Sequence, residues 1–218
     1  TSLSKLFNFS GIEVTPAVAL DYAKFKPDAN EKDTDRTIPI YSLDIKANLI
    51  KISNDGDVRQ SIQPRVMAVY IPFEDQSEFP FIDTLMPDFN YFQLFNENRF
   101  IGNDRIGDTS KISYGIVAKR TRIQSGKDFF EFTLGQTLHL KDEKVVMPGE
   151  SFRRSGSFTN LASMDIAMTD SLKLKLDHYW DSDVDQIKRS QIGIEYKDSG
   201  SKRLNLAYRF RKQNIKQV

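Results

Sequence analysis

The side chains that could carry out catalysis do not form a recognisable catalytic motif in this sequence. Two pairs of carboxylates lie close together, Asp83 with Asp88 and Asp104 with Asp108. Glycoside hydrolysis uses two such acids, about 5–10 Å apart. With 30 acidic residues among 218, however, close pairs are expected by chance. The carboxylates therefore do not predict a glycosidase.

The other candidate groups for chemistry are two isolated histidines, His139 and His178. Their spacing does not exclude a Ser-His-Asp site, but no G-x-S-x-G motif is present. The chain also lacks a phosphate-binding P-loop, a G-x-G-x-x-G motif and an H-x-x-x-H metal pair. The sequence N-D-G-D at 54–57 starts like a calcium loop without the later ligands, which favours a turn. We predict that the protein is not an enzyme and binds no metal or cofactor.

The overall composition excludes several other classes. The 31 basic residues nearly cancel the 30 acidic ones, so the basic excess expected of a nucleic-acid-binding protein is missing. Cysteine is absent, which excludes disulfides and thiolate metal sites within these residues. The mean hydropathy of −0.48 does not exclude an outer-membrane barrel, because only alternate residues of its strands meet lipid.

The elements that would position these residues are β-strands, because apolar and polar residues alternate with a period of two. One example is the segment at 41–49, where Leu43 and Ile45 alternate with Asp44 and Lys46. About nine such strands, most roughly 10 residues long, suit tilted membrane strands. They are predicted near 12–25, 41–49, 62–71, 112–118, 130–140, 158–168, 172–176, 192–196 and 204–210.

The connections between the predicted strands alternate in length. Long or medium links at 26–40, 72–110, 141–157 and 181–188 alternate with short ones at 54–58, 124–127, 169–171 and 198–201. In an up-and-down meander this places long loops at one end and tight turns at the other, as in outer-membrane barrels. We therefore predict an all-β fold, an antiparallel up-and-down meander over 1–218 that forms part of a transmembrane outer-membrane β-barrel. Its apolar side chains would face acyl chains and its polar ones a wet lumen.

The connection at 72–110 is too long for a passive hairpin loop. It contains eight aromatic residues, too many to leave in water, so it is predicted to fold against the lumen, the rim or a partner. Its aspartates, Asp88 among them, are opposed by Arg99 and Arg105, which could tie the loop down through charge-assisted hydrogen bonds.

The segment from Pro64 to Asp108 carries a dense motif. It is Pro64, Tyr70, Pro72, Asp75, Gln76, Ser77, Pro80, Asp83, Thr84, Asp88, Phe89, Asn90, Tyr91, Gln93, Leu94, Phe95, Asn98, Arg99, Phe100, Gly102, Asp104, Arg105, Ile106, Gly107 and Asp108. This order resembles the signature of the LptD family, and the later L-G-Q at 134–136 resembles a strand of that family.

The resemblance implies a barrel in the outer membrane of a Gram-negative bacterium. Members of this family receive lipopolysaccharide through a periplasmic bridge protein, LptA, and release it into the outer leaflet through a lateral gate. A lipoprotein, LptE, plugs their lumen. This sequence lacks the family's N-terminal periplasmic domain, its cysteines and a terminal aromatic residue, so we expect it to represent the middle of the barrel, without the gate.

Two interpretations of the motif remain open, and so do two rival functions. The charged residues Arg99, Asp104, Arg105 and Asp108 could contact lipopolysaccharide phosphates, but structural ties are favoured. The aromatic run at 89–95 could be a lipid path, but packing into the lumen is favoured. The rivals are a porin-like or receptor barrel, which gives no reason for the motif, and a soluble β-rich carbohydrate-binding module.

Overall fold

Nearly all regular structure lies in one antiparallel sheet. The computed structural model describes residues 1–26, 33–87, 89–148, 152–182, 186–198, 200 and 202–211. The strands are β1 Ser2–Ser4, β2 Phe7–Phe9, β3 Ile12–Phe25, β4 Thr34–Ala47, β5 Leu49–Ile52, β6 Val58–Ile71, β7 Thr109–Arg122, β8 Asp128–His139, β9 Phe158–Ala167, β10 Leu172–Asp181, β11 Gln186–Lys197 and β12 Arg203–Arg211. One short helix, α1, covers Tyr91–Leu94. Within the described ranges, no helix has the length and apolar character needed to cross a bilayer.

The strands follow one another in the sheet in the order of the chain, which confirms the predicted up-and-down meander. The order is β1-β3-β4-β6-β7-β8-β9-β10-β11-β12, with β2 also paired to β3 and β5 to β6. The strand ends that are joined through 26–33, 72–108, 140–157 and 182–185 lie at one end of the sheet, which we call the upper end. The strand ends that are joined through 10–11, 53–57, 123–127, 168–171 and 198–202 lie at the other, lower end.

The predicted alternation of faces is also confirmed by the strand register. Because antiparallel partners point to the same side of a sheet, Ile166, Leu174 and Ile194 form one apolar row across β9, β10 and β11. One residue along, Asp165 and Lys175 pair on the opposite face. We call the apolar face the outer face and the opposite one the inner face.

The inner face is polar in its lower half, but on β4 and β6 its upper half is apolar. On β4 and β6, the inward residues Ile38, Ile40, Met67, Val69 and Ile71 are buried. They pack in one cluster with three residues from the connection at 72–108, namely Leu94, Phe95 and Ile106. The expectation of a wet lumen along the whole inner face is therefore wrong for this region, because a folded segment covers it.

The start of β4 differs from the sequence prediction for a related reason. The link predicted at 26–40 ends at 33, because residues 34–40 belong to β4. Their apolar members Ile38 and Ile40 point inward, whereas Leu43 and Ile45 point outward, so the apolar phase changes within the strand. The short strands β1 and β2 were not predicted, and a turn at Ser10 and Gly11, both with positive φ, joins them to β3.

Candidate functional site

The connection at 72–108, which we call the inserted loop, is anchored to β4 by Arg36. This arginine is only 2% exposed. Its Nη1 donates to Gln76 Oε1 (2.5 Å) and to the Asp104 carbonyl (2.6 Å), and its Nη2 donates to the Asn103 carbonyl (2.8 Å). The guanidinium also lies 5.0 Å from the ring centre of Phe79. One strand side chain thus holds both ends of the loop.

Two amide side chains hold the backbone of the loop together. The Gln76 amide donates to the Ile106 carbonyl (2.8 Å) and accepts from the Ile106 amide (3.0 Å), as a neighbouring strand would. Asn98 accepts from the Gly107 amide (2.9 Å) and donates to the Arg105 carbonyl (3.1 Å). Buried backbone groups without water need such partners, so both amides substitute for a regular sheet.

The exposed tip of the loop is closed by two aspartates. Asp83 Oδ1 accepts from the backbone amides of Asn103 (3.0 Å) and Asp104 (3.3 Å). The Asp104 carboxylate accepts from the Thr84 hydroxyl (2.5 Å) and the Ile82 amide (2.8 Å). Burial opposes ionisation of Asp104, but these hydrogen bonds and one involving Asp83 outweigh it and lower its pKa. The carboxylates therefore act as acceptors for backbone and hydroxyl donors.

Helix α1 rests on two paired glycines of the inner face. Gly115 of β7 and Gly135 of β8 lie opposite each other in the register. A Cβ atom on Gly115 would lie 2.8 Å from Tyr91 Cε2, and one on Gly135 would lie 2.2 Å from Leu94 Cδ1. Asn90 caps the helix by accepting from the Phe92 amide (2.9 Å). Because glycine has no side chain, these two positions leave the space in which the helix packs.

The far side of the loop reaches β10 and β11. The ring of Phe89 stacks on Tyr179 with centroids 4.4 Å apart. Arg189 Nη2 donates to the Phe89 carbonyl (3.0 Å). Together with Arg36 on β4, these contacts show that the inserted loop extends across the inner face from β4 to β11.

A buried charged cluster joins the inserted loop to the neighbouring connection at 140–157. Glu143, 1% exposed, accepts from the Thr109 hydroxyl (2.5 Å) and lies 3.0 Å from His139 Nδ1. Its second oxygen lies 3.6 Å from Arg153 Nε and 3.8 Å from Arg99 Nε. Burial opposes ionisation, but the histidine hydrogen bond and the charges of His139, Arg153 and Arg99 lower the pKa of Glu143 to about 2.

The geometry around His139 resembles a Thr-His-Glu triad but cannot work as one. With Nδ1 directed at Glu143, the free lone pair belongs to Nε2, which would be the base. Thr159 Oγ1 lies 3.5 Å from Nε2, yet Arg153 Nη1 is closer, at 3.0 Å, and also donates to Thr159 (2.6 Å). Because the arginine occupies the basic nitrogen, the cluster can hold the two connections together but cannot activate the hydroxyl.

The cavity beside this cluster is small. Its volume is about 90 Å³, and its walls include Phe89, Gln93, Lys111 and Tyr179. Pockets for drug-sized ligands measure roughly 300–1,000 Å³. A cavity of this volume can hold a few water molecules.

Comparison with known proteins assigns the chain to a family. The model of the LptD family, described as "LPS transport system D", matches residues 3–218. The chain belongs to the LptD family. It is 31% identical to the LPS-assembly protein LptD of Cupriavidus metallidurans over 93% of its length, and 27% identical to that of Nitrosococcus oceani over 100%. It spans 26% and 30% of the length of these two relatives.

The motif that resembled the LptD signature is, in the structure, mainly the framework of the inserted loop. Thr84, Phe95, Phe100, Arg105 and Asp108 are buried in it. Gly102, with φ +104°, lies so close to Asp83 that a Cβ atom would be 2.4 Å from its carbonyl oxygen.

The charged residues of this LptD motif were expected to tie the loop down, and the contacts that the structure describes for them run mainly to backbone groups. Arg105 donates to the carbonyls of Phe79 and Asp104 and stacks on the ring of Phe81. Arg99 donates to the Val145 carbonyl and lies near Glu143. Asp108 accepts from the backbone amides of Lys144 (2.9 Å) and Val145 (2.8 Å).

The remaining motif residues lie at the edges of the loop or on the wall. Pro64 and Tyr70 belong to β6 and point to the outer face, while Pro72 and Pro80 lie in the loop, half-buried. Asp75 and Ser77 are exposed, and the Asp75 carboxylate accepts from the Ser77 amide (3.0 Å), which lowers its pKa. Asp88 lies outside the described residues.

Sequence analysis did not predict the partners that the strands and the second connection supply. Arg36, Lys111, Arg153, Glu143 and Arg189 all contact or surround the inserted loop, yet none of them belongs to the motif at 64–108. The sequence does contain a local indication for Arg36. It is followed by Ile38 and Ile40, which are apolar although they occupy inward positions of the strand. That phase change predicts a covered wall and a buried charge that needs partners.

Proposed function

We propose that this chain forms part of the wall of an outer-membrane β-barrel that inserts lipopolysaccharide into the outer leaflet of a Gram-negative bacterium. The observation that carries the proposal is the family match over 3–218, since the relatives are named as LPS-assembly proteins. The amphipathic wall supports it, because backbone groups in lipid must be paired between strands and the lipid face must be apolar.

In this proposal the chain is a conduit and scaffold and performs no catalysis. The polar lower half of the inner face would line a wet lumen, while the inserted loop closes the upper half of this wall. A lipopolysaccharide molecule in the lumen would therefore meet the inserted loop, which covers the upper inner face from β4 to β11. The energy for transport would come from other components.

The partners that we propose follow from the family. They are lipopolysaccharide as the substrate, the lipoprotein LptE in the lumen, and the bridge protein LptA, which would bind a part of the protein outside these residues. The charged inner face in the lower half offers hydrogen-bonding groups to a protein plug. Co-purification of LptE with the parent protein, and its loss when lower inner-face charges are reversed, would test that contact.

The experiment on function is depletion of the natural-length protein in its host. If the proposal is correct, lipopolysaccharide reaching the cell surface falls, as measured by labelling intact cells with a membrane-impermeant reagent, while lipid synthesis continues. A porin-like role predicts unchanged surface lipopolysaccharide and slower uptake of small solutes. That second outcome would overturn the proposal.

The position of the wall in the membrane has a separate test. Cysteine is absent from the chain, so single cysteines at Leu174 and Lys173 report on the outer and inner faces. We expect a water-soluble thiol reagent to label Lys173→Cys and to spare Leu174→Cys in membranes. Equal labelling, or extraction of the protein by buffer without detergent, would favour the soluble carbohydrate-binding alternative.

A further inference from the structure

At the upper end of β6 and β8, a basic and aromatic notch opens beside the outer face. It has a volume of about 160 Å³ and is lined by Tyr70, Phe73, Lys141 and Lys144, among others. Lys141 Nζ lies 5.2 Å from the ring centre of Tyr70, and Lys144 Nζ lies 5.4 Å from that of Phe73. Both lysines are exposed. Two ammonium groups thus stand over aromatic rings at one edge of the wall.

The cations of this notch are free to bind a ligand, whereas its carboxylates are occupied. Among the described residues, no carboxylate pairs with Lys141 or Lys144. The buried Asp108 accepts from two backbone amides, and Asp142 accepts from the Ser155 amide (2.7 Å). The groups with unused hydrogen-bonding capacity are therefore the two ammonium groups, which donate and do not accept.

In the proposed membrane location, the notch lies at the boundary between lipid and water. Tyr70 points to the outer face and stacks against Tyr41 of the neighbouring strand, with ring centroids 6.3 Å apart. Aromatic rings of this kind form the girdles of outer-membrane barrels at the boundary between lipid and water. The notch also lies at the upper end, which carries the long connections and in such barrels faces the outside.

We propose that Lys141 and Lys144 bind the phosphate of an anionic lipid in the outward-facing leaflet. This inference rests on the proposed membrane location, and it adds a binding site to the outer surface of the wall. The Tyr70 and Phe73 rings hold the ammonium groups at the height of the headgroup and contact the upper part of the acyl region. The phosphate oxygens accept from both ammonium groups. At that boundary the ammonium groups stay hydrated, whereas in the hydrocarbon region they would lose their water.

The test measures lipid retained by the natural-length protein in detergent, with lipid A carrying both phosphates as the probe. Each lysine near a membrane surface contributes enough that its loss lowers affinity roughly fivefold. We therefore expect Lys141→Gln and Lys144→Gln each to lower affinity roughly fivefold, and the double variant roughly 25-fold. The same lipid without its phosphates should bind to the parent protein about as weakly as the probe binds to the double variant.

The matched control removes the same charge at the lower end, where Lys51→Gln and Lys127→Gln together should leave retention unchanged. Heat-modifiable migration of every variant checks that the barrel has folded. The proposed site would be overturned if the double variant retained as much lipid A as the parent protein, or if the parent bound the dephosphorylated lipid as well as the probe. Displacement of the lipid by millimolar inorganic phosphate would show a free-phosphate site instead. Failure of the proposed function would appear in surface labelling after depletion, whereas failure of this site would appear only in lipid retention.

Discussion

The upper and lower halves of the inner face obey the same alternation rule but are stabilised in different ways. In the upper half, inward residues are buried beneath the inserted loop and include apolar side chains such as Met67 and Val69. In the lower half, inward residues form cross-strand ion pairs, among them Lys119–Glu131 and Lys175–Glu195, each at 2.8 Å. A strand pattern therefore tells which residues share a face, but not what covers that face.

The difference also concerns how much each contact stabilises the fold. The lower pairs are solvated on both sides, and exposed ion pairs contribute only about 0–1 kcal/mol. The upper contacts involve buried charges and backbone carbonyls, whose loss costs several times more. We expect substitutions in the upper half to detach the loop and those in the lower half to leave it in place.

The largest effect is expected for Arg36→Met. This change removes the arginine donor of the Asn103 carbonyl and one of the two donors to each of the Asp104 carbonyl and Gln76 Oε1. Breaking a buried charged contact typically costs about 3–5 kcal/mol, so the free energy of unfolding in detergent should fall by that amount. Protease cleavage within the loop should become faster at the same time.

Lys175→Met is the matched control, because it removes a cation from the lower half of the same face. Its ion pair with Glu195 is about one-third exposed on each side, so we expect a change of at most about 1 kcal/mol. Equal effects of the two substitutions would contradict the proposed difference between the two halves.

The sequence predicted the sheet well, because its signals are local. The alternation in β10 and β11 and the alternating loop lengths determined the topology without any knowledge of tertiary contacts. Strand β6 fitted the alternation less cleanly, and the structure explains why. Its inward residues Met67, Val69 and Ile71 are as apolar as its outward ones, since the inserted loop covers them.

The contacts of the candidate site were predicted less completely, because they join residues far apart in the sequence. Arg36 lies 68 residues from Asp104, and Phe89 lies 100 residues from Arg189. The motif identified one side of each contact, the inserted loop. The other side consists of charged residues on strands, and apart from the apolar phase change that follows Arg36, their local sequence does not distinguish them from the solvated charges of the lower half.

The second prediction concerns acid. The pKa of Glu143 is lowered to about 2 from an ordinary 4.5, so its ionised form stabilises the folded state. That stabilisation is fully present above about pH 4.5 and is lost as the pH falls towards 2. At 1.36 kcal/mol per pKa unit, it amounts to roughly 3 kcal/mol. The groups around it are His139, Arg153, Arg99 and Lys111.

Urea unfolding in detergent at pH 6 and pH 3 measures this effect. Glu143→Gln should be less stable than the parent at pH 6 and should lose roughly 2 kcal/mol less between the two pH values, because at pH 3 the folded carboxyl group is still largely ionised. Glu195→Gln, in the lower half, should retain nearly the whole acid dependence. If parent and Glu143→Gln lose the same free energy on acidification, the carboxylate is not the buried anion that joins the two connections.

The smallest of the three effects is expected for a glycine in each half, because the two positions differ in the room that they leave for a Cβ atom. Gly115→Ala places a Cβ atom 2.8 Å from Tyr91 Cε2 and 2.9 Å from the Leu134 carbonyl, whereas Gly193→Ala in the lower half meets nothing closer than 3.8 Å. Overpacking costs about 1–3 kcal/mol, so Gly115→Ala should lower stability by that amount and expose α1 to proteolysis. Gly193→Ala should be neutral or slightly stabilising, because alanine restricts the unfolded chain more than glycine does. Both glycines are inward residues of paired strands, and a difference between them comes from the Tyr91 ring of the loop and from the closer Leu134 carbonyl on the neighbouring strand. Equal stability of the two variants would mean that α1 does not rest on the wall at Gly115.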